Sequence, residues 1–241
     1  MKNSVNLIRI KASVLITVAG LLMLSFWIVS CSKDNSVEPL TGGSSTGSDI
    51  IDSRAGGNYT FDKSHSNVMW ETFYYGDNAL LTGRFNIFKI DLYFDQATPS
   101  NSLIDAWVQL STFNTGEPGR DAYGKCGPGY MGVIFDTLSV TPLTLTPRAE
   151  TDTAWFSSTS VQKYGDGYLA KGNFTFRSLT KSVDLYFNYT GLHDYTSSTG
   201  TTTRAGFSGH FNIKALSDFG INATAIADDV KIKVNANYRK L

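Results

Sequence analysis

The chain has 241 residues, of which 41% are hydrophobic and 13% aromatic, and its 21 basic residues balance its 21 acidic ones. A formal net charge of zero gives no electrostatic footprint for nucleic acid, which argues against that class of partner. Once terminal segments are set aside, the length suits one domain with one core, and 22 glycines against 6 prolines favour an all-β fold with many turns.

The N-terminus has the composition of an export signal. The apolar residues 12–29 are preceded by three basic residues, Lys2, Arg9 and Lys11. The segment ends with the tetrapeptide IVSC at residues 28–31. This pattern predicts a secretory signal peptide over residues 1–30, because the apolar stretch is too short and wrongly flanked for a stable membrane span. The tetrapeptide resembles the lipobox of bacterial lipoproteins.

The lipobox resemblance implies that Cys31 becomes the lipid anchor of an exported protein. The predicted location is the bacterial outer membrane, on its periplasmic or its cell-surface face, and several acyl chains would make the attachment durable. A signal anchor whose cysteine is incidental is the alternative.

A flexible tether is predicted to follow the anchor. Residues 31–57 are rich in Ser, Thr, Gly and Asp, so they bury too little apolar surface to offset their own ordering entropy. The folded domain is then predicted over residues 58–241. With Cys31 modified, Cys126 has no partner for a disulfide, and it is either a buried small side chain or a reactive thiol in a loop.

Alternating apolar side chains predict the strands, because successive side chains of a strand point to opposite faces. A first strand is predicted over residues 68–75, one run over residues 83–96, and another strand over residues 104–111. The segment 114–128 is rich in Gly, Pro and charge, which predicts a long loop of the kind that carries function or gates access. Residues 131–150 fit either a strand or a loop that packs on the rim.

The second half of the chain continues this pattern. Strands are predicted over residues 155–161, 168–176, 183–189, 205–213 and 230–238, with room for one short helical turn within residues 213–221. About eight antiparallel strands favour a barrel over a sandwich, because the terminal strands of a barrel can pair and remove the edges.

Short motifs in order along the chain resemble those of the YceI-like family. The octapeptide YTFDKSHS from Tyr59 resembles the family's Y-x-(I/F)-D-x-x-H-S opening, and Gly83-Arg84-Phe85 resembles its G-x-F strand. Later motifs are matched by Thr115-Gly116 with Arg120-Asp121, Thr180-Lys181, Ala205-Gly206-Phe207, Ser217-Asp218-Phe219-Gly220 and Asp229-Val230. The resemblance runs from Tyr59 to about Asn237.

The resemblance implies an extended, eight-stranded antiparallel β-barrel, lipocalin-like, that holds a long apolar chain such as a polyisoprenoid or a fatty amide. The inward residues would line its cavity: Val68, Trp70, Phe85, Phe88, Val108, Leu110, Phe174, Phe176 and Phe207. Four polar residues are candidates for the mouth: His65, Arg120, Asp121 and Arg204. A barrel of about eight strands can equally be filled by side chains, so a sealed core remains the alternative.

Catalytic and metal-binding patterns are missing from the sequence. The three histidines, His65, His193 and His210, lie in different segments without metal-ligand spacing, and no nucleophile, phosphate-binding or paired-carboxylate motif occurs. The predicted protein is therefore not an enzyme and needs no metal or cofactor.

The predicted function is to bind and to carry or sequester a long apolar lipid at the cell envelope. The partners are that lipid and the membrane that holds the N-terminal anchor, and a homodimer is left open. The alternative is a surface adhesion or glycan-binding module with a filled core, in which Trp107, Tyr93 and Tyr186 make the contacts.

Overall fold

The computed structural model describes residues 47–76, 79–121, 127–138 and 144–241. Twelve strands form one antiparallel sheet and two more form a small separate sheet. The strands are β1 (Ile50–Asp52), β2 (Tyr59–Phe61), β3 (Asn67–Tyr74), β4 (Ala79–Phe85), β5 (Phe88–Asp95), β6 (Leu103–Gln109), β7 (Phe113–Asn114), β8 (Phe135–Leu138), β9 (Thr144–Pro147), β10 (Thr153–Tyr164), β11 (Gly167–Phe176), β12 (Leu179–Ser197), β13 (Gly200–Lys214) and β14 (Asp229–Lys240).

Helical structure within the described ranges is short. The α-helix α1 spans Pro118–Asp121, and 3-10 turns span Lys63–His65, Pro99–Asn101, Leu110–Thr112, Gly127–Gly129 and Ala149–Thr151. The predicted helical turn in residues 213–221 is present only as two backbone hydrogen bonds of helical spacing, from Asp218 N–H to Lys214 O and from Gly220 N–H to Leu216 O, both 3.0 Å. The predicted all-β, antiparallel class is confirmed.

The large sheet is ordered β1-β5-β6-β10-β11-β12-β13-β14-β3-β4-β7, and β2 also pairs with β14. The first and last long strands are neighbours, with Lys231 opposite Glu71 and Asn235 opposite Asn67. The sheet therefore curls so that the first and last long strands pair, as the edge argument predicts, but it is not closed in the described residues, where β1 and β7 are its two ends.

The seam of this curled sheet lies between β4 and β5. No ladder joins these two consecutive strands in the described residues. At one end β7, which follows β6, pairs Phe113 with Phe85 of β4. At the other end the Asn58 side chain, next to β2, accepts a hydrogen bond from Asp52 N–H and donates one to Ile50 O of β1. Short segments thus cover both ends of the seam.

The predicted tether is wrong at its C-terminal end, because residues 50–52 form β1 on the edge of β5. Ile51 is completely buried, and the hydroxyl of Tyr189 donates a hydrogen bond of 2.8 Å to Asp49 Oδ2. Ile50 and Ile51 interrupt the polar composition, and burial of one of them favours order over a solvated tether. The folded domain therefore begins before residue 58.

The single run predicted over residues 83–96 is also wrong, since it is divided into the end of β4 and the whole of β5. Phe85 and Phe88 are both buried although they stand three positions apart. A strand with period two cannot place both on one face, so the chain bends between them. Thr112 holds this corner, because its Oγ1 accepts hydrogen bonds from Asn86 N–H and Ile87 N–H.

The segment that the sequence left undecided contains β8 and β9, which pair with each other in the small sheet. Cys31 and the signal peptide lie outside the described residues, as does Cys126.

Candidate functional site

One half of the barrel interior is filled by aromatic side chains. Phe207 on β13 packs against Phe94, Tyr189 and Tyr238 with ring centroids 4.9 to 5.7 Å apart. Phe88 packs on Phe61 of β2 with centroids 6.0 Å apart. Phe207 and Phe88, which the sequence predicts to line a ligand cavity, are buried in this packed core, and Phe207 borders a void of about 40 Å³.

The other half of the barrel is hollow. A cavity of about 560 Å³ opens there among the inward side chains of the strands. Seven of the nine predicted residues line it: Val68, Trp70, Phe85, Val108, Leu110, Phe174 and Phe176. Its volume lies within the range of roughly 300–1,000 Å³ that is usual for small-molecule sites.

Small residues at inward positions leave this space open. Ala106 and Ala154 line the cavity on neighbouring strands, where larger side chains would fill it. Gly83 stands opposite Trp70, and a Cβ added there would lie 2.5 Å from Cζ2 of the indole. Because Gly83 has no side chain, the indole lies across β4 and stacks on Phe113 with centroids 5.1 Å apart. Trp70 is thereby held against the wall.

The polar groups of the cavity are few. The hydroxyl of Thr72 donates a hydrogen bond of 2.8 Å to the backbone oxygen of Asp229, so it is satisfied within the protein. Trp70 Nε1 is buried and has no hydrogen-bond partner. Arg120, which also lines the cavity, is half-buried on α1. The interior is thus apolar, and its positively charged group, the Arg120 guanidinium, lies at the end of the cavity next to α1.

The cavity reaches the surface beside α1. Three of its lining residues, Glu117 directly before α1, Tyr130 and Tyr74, are exposed. Glu117 Oε2 accepts a hydrogen bond of 2.6 Å from Arg120 N–H, and Oε1 accepts one of 3.1 Å from Gly119 N–H. Arg177 Nη1 donates a hydrogen bond of 2.8 Å to Tyr130 O. We call this end of the barrel the mouth; residues 223–226 of the loop before β14 also border the cavity.

Of the four polar residues predicted at the mouth, Arg120 alone lines the cavity. Asp121 instead folds its own loop, since its carboxylate accepts hydrogen bonds from Thr115 N–H at 2.9 Å and Thr115 Oγ1 at 2.7 Å. Its oxygens thus close the turn before α1, and Asp121 does not line the cavity.

His65 and Arg204 lie near the filled half and do not line the cavity. His65 Nδ1 is 2.9 Å, and Arg204 Nη1 2.5 Å, from Asp62 Oδ2. Burial would raise the pKa of Asp62, but the hydrogen bonds from His65 and Arg204 outweigh it and hold that pKa below its usual value. Arg204 stands on β13 three positions before Phe207 of the packed core, so this pair lies beside the filled half and away from the cavity.

Several lining residues have no counterpart in the sequence prediction. They include Tyr74, Phe113, Tyr130, Met131, Ile221 and residues 223–226. Most of them lie in loops or at strand ends, where side-chain alternation gives no signal. Ala106 and Ala154 did carry a sequence signal for the cavity, because they are small residues at inward positions of strands that otherwise carry aromatic residues.

The three aromatic residues of the alternative hypothesis, a surface adhesion or glycan-binding module, lie on different strands. Trp107 of β6 is half-buried and lies beside the exposed Trp155, with ring centroids 6.2 Å apart. Tyr93 of β5 lies under the Arg54 guanidinium at 4.5 Å, and Tyr186 of β12 packs on Tyr164 at 5.4 Å. They do not share one set of neighbours.

The described residues contain neither a metal-ligand cluster nor a membrane-spanning helix. No group of three or more His, Cys, Asp or Glu within them could hold a metal ion. No helix in the same ranges is long and apolar enough to cross a membrane.

Comparison with known proteins gives a family match. The model of the YceI-like domain matches residues 59–238. A UPF0312 protein of Yersinia pestis is 31% identical over 141 residues, which cover 58% of this chain and 63% of that protein. A UPF0312 protein of Pseudomonas aeruginosa gives the same identity and coverage. The chain therefore spans less than two thirds of the length of these curated relatives.

Two solved structures share the fold. BcnA of Burkholderia cenocepacia superposes with a TM-score of 0.52 at 18% identity, covering 73% of this chain and 98% of that one. A YceI protein of Campylobacter jejuni gives a TM-score of 0.50 at 17% identity, covering 68% and 87%. At these identities the likeness establishes the architecture.

Proposed function

Because this chain belongs to the YceI-like domain family, whose model matches residues 59–238, we propose that it binds one long apolar lipid chain inside the barrel. The observation that carries the proposal is the apolar cavity of about 560 Å³, which opens at the mouth and ends at the packed aromatic half. A polyisoprenoid, a fatty acid or a fatty amide fits this description. The protein then carries or sequesters that chain.

Burial of the chain provides the affinity. Each buried methylene contributes about 0.8 kcal/mol, so about ten of them give roughly 8 kcal/mol before the costs of association. The aromatic wall formed by Phe174 and Phe176 offers the apolar contacts. This supports binding of a chain without a charged anchor deep inside.

The polar end of the ligand is placed at the mouth. Arg120 borders the cavity and can donate hydrogen bonds to a ligand. The carboxylate of Glu117 already accepts two backbone hydrogen bonds, so it has less capacity to bond a ligand. A guanidinium donates up to five hydrogen bonds to carboxylate or carbonyl oxygens. We therefore place a head group that accepts hydrogen bonds at Arg120 and the apolar tail between the strands.

We propose binding instead of catalysis because the Thr72 hydroxyl and the Glu117 carboxylate of the lining are already hydrogen-bonded within the protein. The Thr72 hydroxyl is bonded to backbone oxygens of Ala227 and Asp229, and Glu117 caps α1. No lining side chain in the described residues pairs a nucleophile with a general base, which covalent or acid–base chemistry requires.

The proposed setting is the cell envelope. The sequence pattern at residues 28–31 supports acylation of Cys31 and attachment to the outer membrane, and Cys31→Ser should release the protein from the membrane fraction. Unchanged fractionation of that variant would count against the anchor.

The binding proposal is tested by filling the cavity. Native mass spectrometry of the protein purified from its own cell envelope should show an adduct of lipid mass, and Ala154→Phe should remove it, because Ala154 lines the cavity. Ala97→Phe adds the same volume at an exposed site and serves as the control. A wild-type protein without an adduct, or an adduct that survives Ala154→Phe, would refute the proposal.

A further inference from the structure

The end of the β3–β4 hairpin, where β3 stops at Tyr74 and β4 starts at Ala79, borders the mouth and carries apolar side chains on both of its faces. Phe73 and Leu80 are a cross-strand pair on its outer face, and they are 41% and 58% exposed. Tyr74 lines the cavity from the inner face, and Tyr75 follows it with 62% exposure. A strand that covers a core needs one apolar face only, so the outer pair has no role in the packing of the barrel.

Backbone hydrogen bonds fix this end of the hairpin beside the entrance. Tyr75 N–H donates to Ala225 O at 2.9 Å, and Ala227 N–H donates to Phe73 O at 2.8 Å. The loop that accepts and donates these bonds also lines the cavity through Ala223 and Ile226. The exposed hairpin end, the loop and the opening therefore form one continuous surface, which we call the apolar rim.

We propose that the apolar rim docks on the surface of a lipid bilayer, so that the ligand passes between the membrane and the barrel. This inference rests on the proposed function. A long apolar chain that leaves a bilayer pays for its contact with water unless the opening of its carrier touches the membrane. A cavity that binds an apolar chain from a membrane thus implies that the membrane is what contacts the rim.

The residue types of the rim suit the interfacial layer of a membrane. Tyrosine is enriched at that depth because its ring is apolar and its hydroxyl is polar, and two such residues, Tyr74 and Tyr75, stand beside Phe73. The strand ends Phe73–Tyr74 and Ala79–Leu81 carry no formal charge. Docking should therefore depend on apolar contact and respond little to salt or to anionic lipid.

A polarity-sensitive fluorophore on a single cysteine tests the docking directly. The full chain with Cys31→Ser and Cys126→Ser is labelled at Leu80→Cys or at Tyr195→Cys, which is then its only cysteine, and is mixed with phosphatidylcholine vesicles. Both parent side chains are 58% exposed, and Tyr195 is in the β12–β13 hairpin, near the filled half. The emission of the Leu80 probe should shift to the blue and rise severalfold on vesicles, while that of the Tyr195 probe stays unchanged.

The outcomes separate the occupants. Equal responses of the two probes, or no response of the Leu80 probe, would overturn the inference. A response of the Leu80 probe without vesicles, growing with protein concentration, would assign the rim to a second copy of the chain and overturn it as well.

A loading assay separates this inference from the binding proposal. Phe73→Thr with Leu80→Thr should slow the uptake of a fluorescent fatty acid from vesicles by about tenfold, since two apolar contacts with the membrane are lost. Affinity for the same fatty acid offered as a monomer should not change. The matched control, Leu192→Thr with Tyr195→Thr, alters residues that are 38% and 58% exposed near the filled half and should load at the wild-type rate.

Unchanged uptake by the Phe73/Leu80 double variant would refute docking while leaving the binding proposal intact. A wild-type protein that binds no fatty acid or prenol from monomer or vesicle would refute the binding proposal, and the probe at Leu80 would still decide whether the rim meets a membrane.

Discussion

At the scale of single residues, His210 is a buried polar side chain with a ring nitrogen that makes no hydrogen bond. His210 on β13 is 6% exposed, stacks on Tyr186 at 6.0 Å, and its Nε2 has no partner. Burial lowers the pKa of His210, and the nearby Lys231 and Lys233 lower it further, while Glu71 acts in the opposite direction. The charged imidazolium is therefore disfavoured in the folded protein.

We predict that acid weakens the fold through His210. The folded pKa is lower than the unfolded value of about 6.5, so the unfolded chain takes up a proton first as the pH falls. Above about pH 6.5 both states are neutral at this site and stability should not depend on it. Below that value, down to the folded pKa, the free energy of unfolding should decrease. Denaturant melts at pH 7.5, 6.5 and 5.5 measure this slope.

His210→Gln should flatten the slope between pH 6.5 and 5.5, and His193→Gln, at an exposed position of β12, should leave it as it is. The carboxylate of Asp62, whose pKa is lowered, loses its contribution only at pH values below about 4, outside this window. An equal slope in the His210→Gln variant would contradict the prediction.

At the scale of elements, the strands divide the interior between a packed and a hollow half. Phe176 on β11 faces the hollow half and contacts Phe174 and Phe219, with centroids 6.1 and 5.5 Å away. Phe207 on β13 contacts aromatic rings within the packed half. The same residue type thus occupies two environments in one sheet.

We predict that truncation costs less stability at Phe176 than at Phe207. In delipidated protein, Phe207→Ala should cost about 3–5 kcal/mol, because it leaves a closed void. Phe176→Ala extends a space that is already open, so we expect the loss to be under about half of that, with weakened lipid retention. Since about 1 kcal/mol moves a domain of this size by roughly 2–4 °C, thermal melts resolve the difference. Equal melting losses would argue that the half around Phe176 is sealed.

The elements also show which features the sequence can predict. Ile90, Leu92 and Phe94 alternate with polar residues, and all three are buried as the period of two requires. The bend between Phe85 and Phe88 was not predicted because both residues fit an apolar strand. The one sign of it in the sequence is that they are three positions apart, which does not match the period of two in a strand.

Long-range partners explain the remaining differences. β1 escaped prediction because its order comes from pairing with β5, about 40 residues away in the chain, and two isoleucines in a polar segment are too weak a local signal for that. The same holds for the mouth: Tyr130 is placed by Arg177, which stands on the turn after β11. Strand faces are local properties and were predictable, whereas the contents of loops that border the cavity depend on tertiary contacts.

At the scale of the whole molecule, the half-filled barrel combines two tasks in one sheet. The aromatic cluster around Phe207 and Tyr238 provides a packed interior that is independent of any ligand. The cavity half keeps its shape through wall contacts such as Trp70 on Phe113, and about 560 Å³ of its interior is not filled by side chains. Stability should therefore depend on occupancy.

We predict that removal of the bound lipid lowers the melting temperature. A ligand that binds only the folded state adds RT ln(1 + [L]/Kd), which is about 2.7 kcal/mol at a hundredfold excess over Kd. For a domain of this size that corresponds to a shift of roughly 5–11 °C, measured by thermal melts before delipidation, after it, and after lipid is returned. Ala154→Phe, which fills the cavity, supplies the control, because its melting temperature should be the same with and without the delipidation step. If the wild-type protein melts at one temperature in all three states, the cavity carries no ligand that stabilises the fold, and the occupancy argument fails.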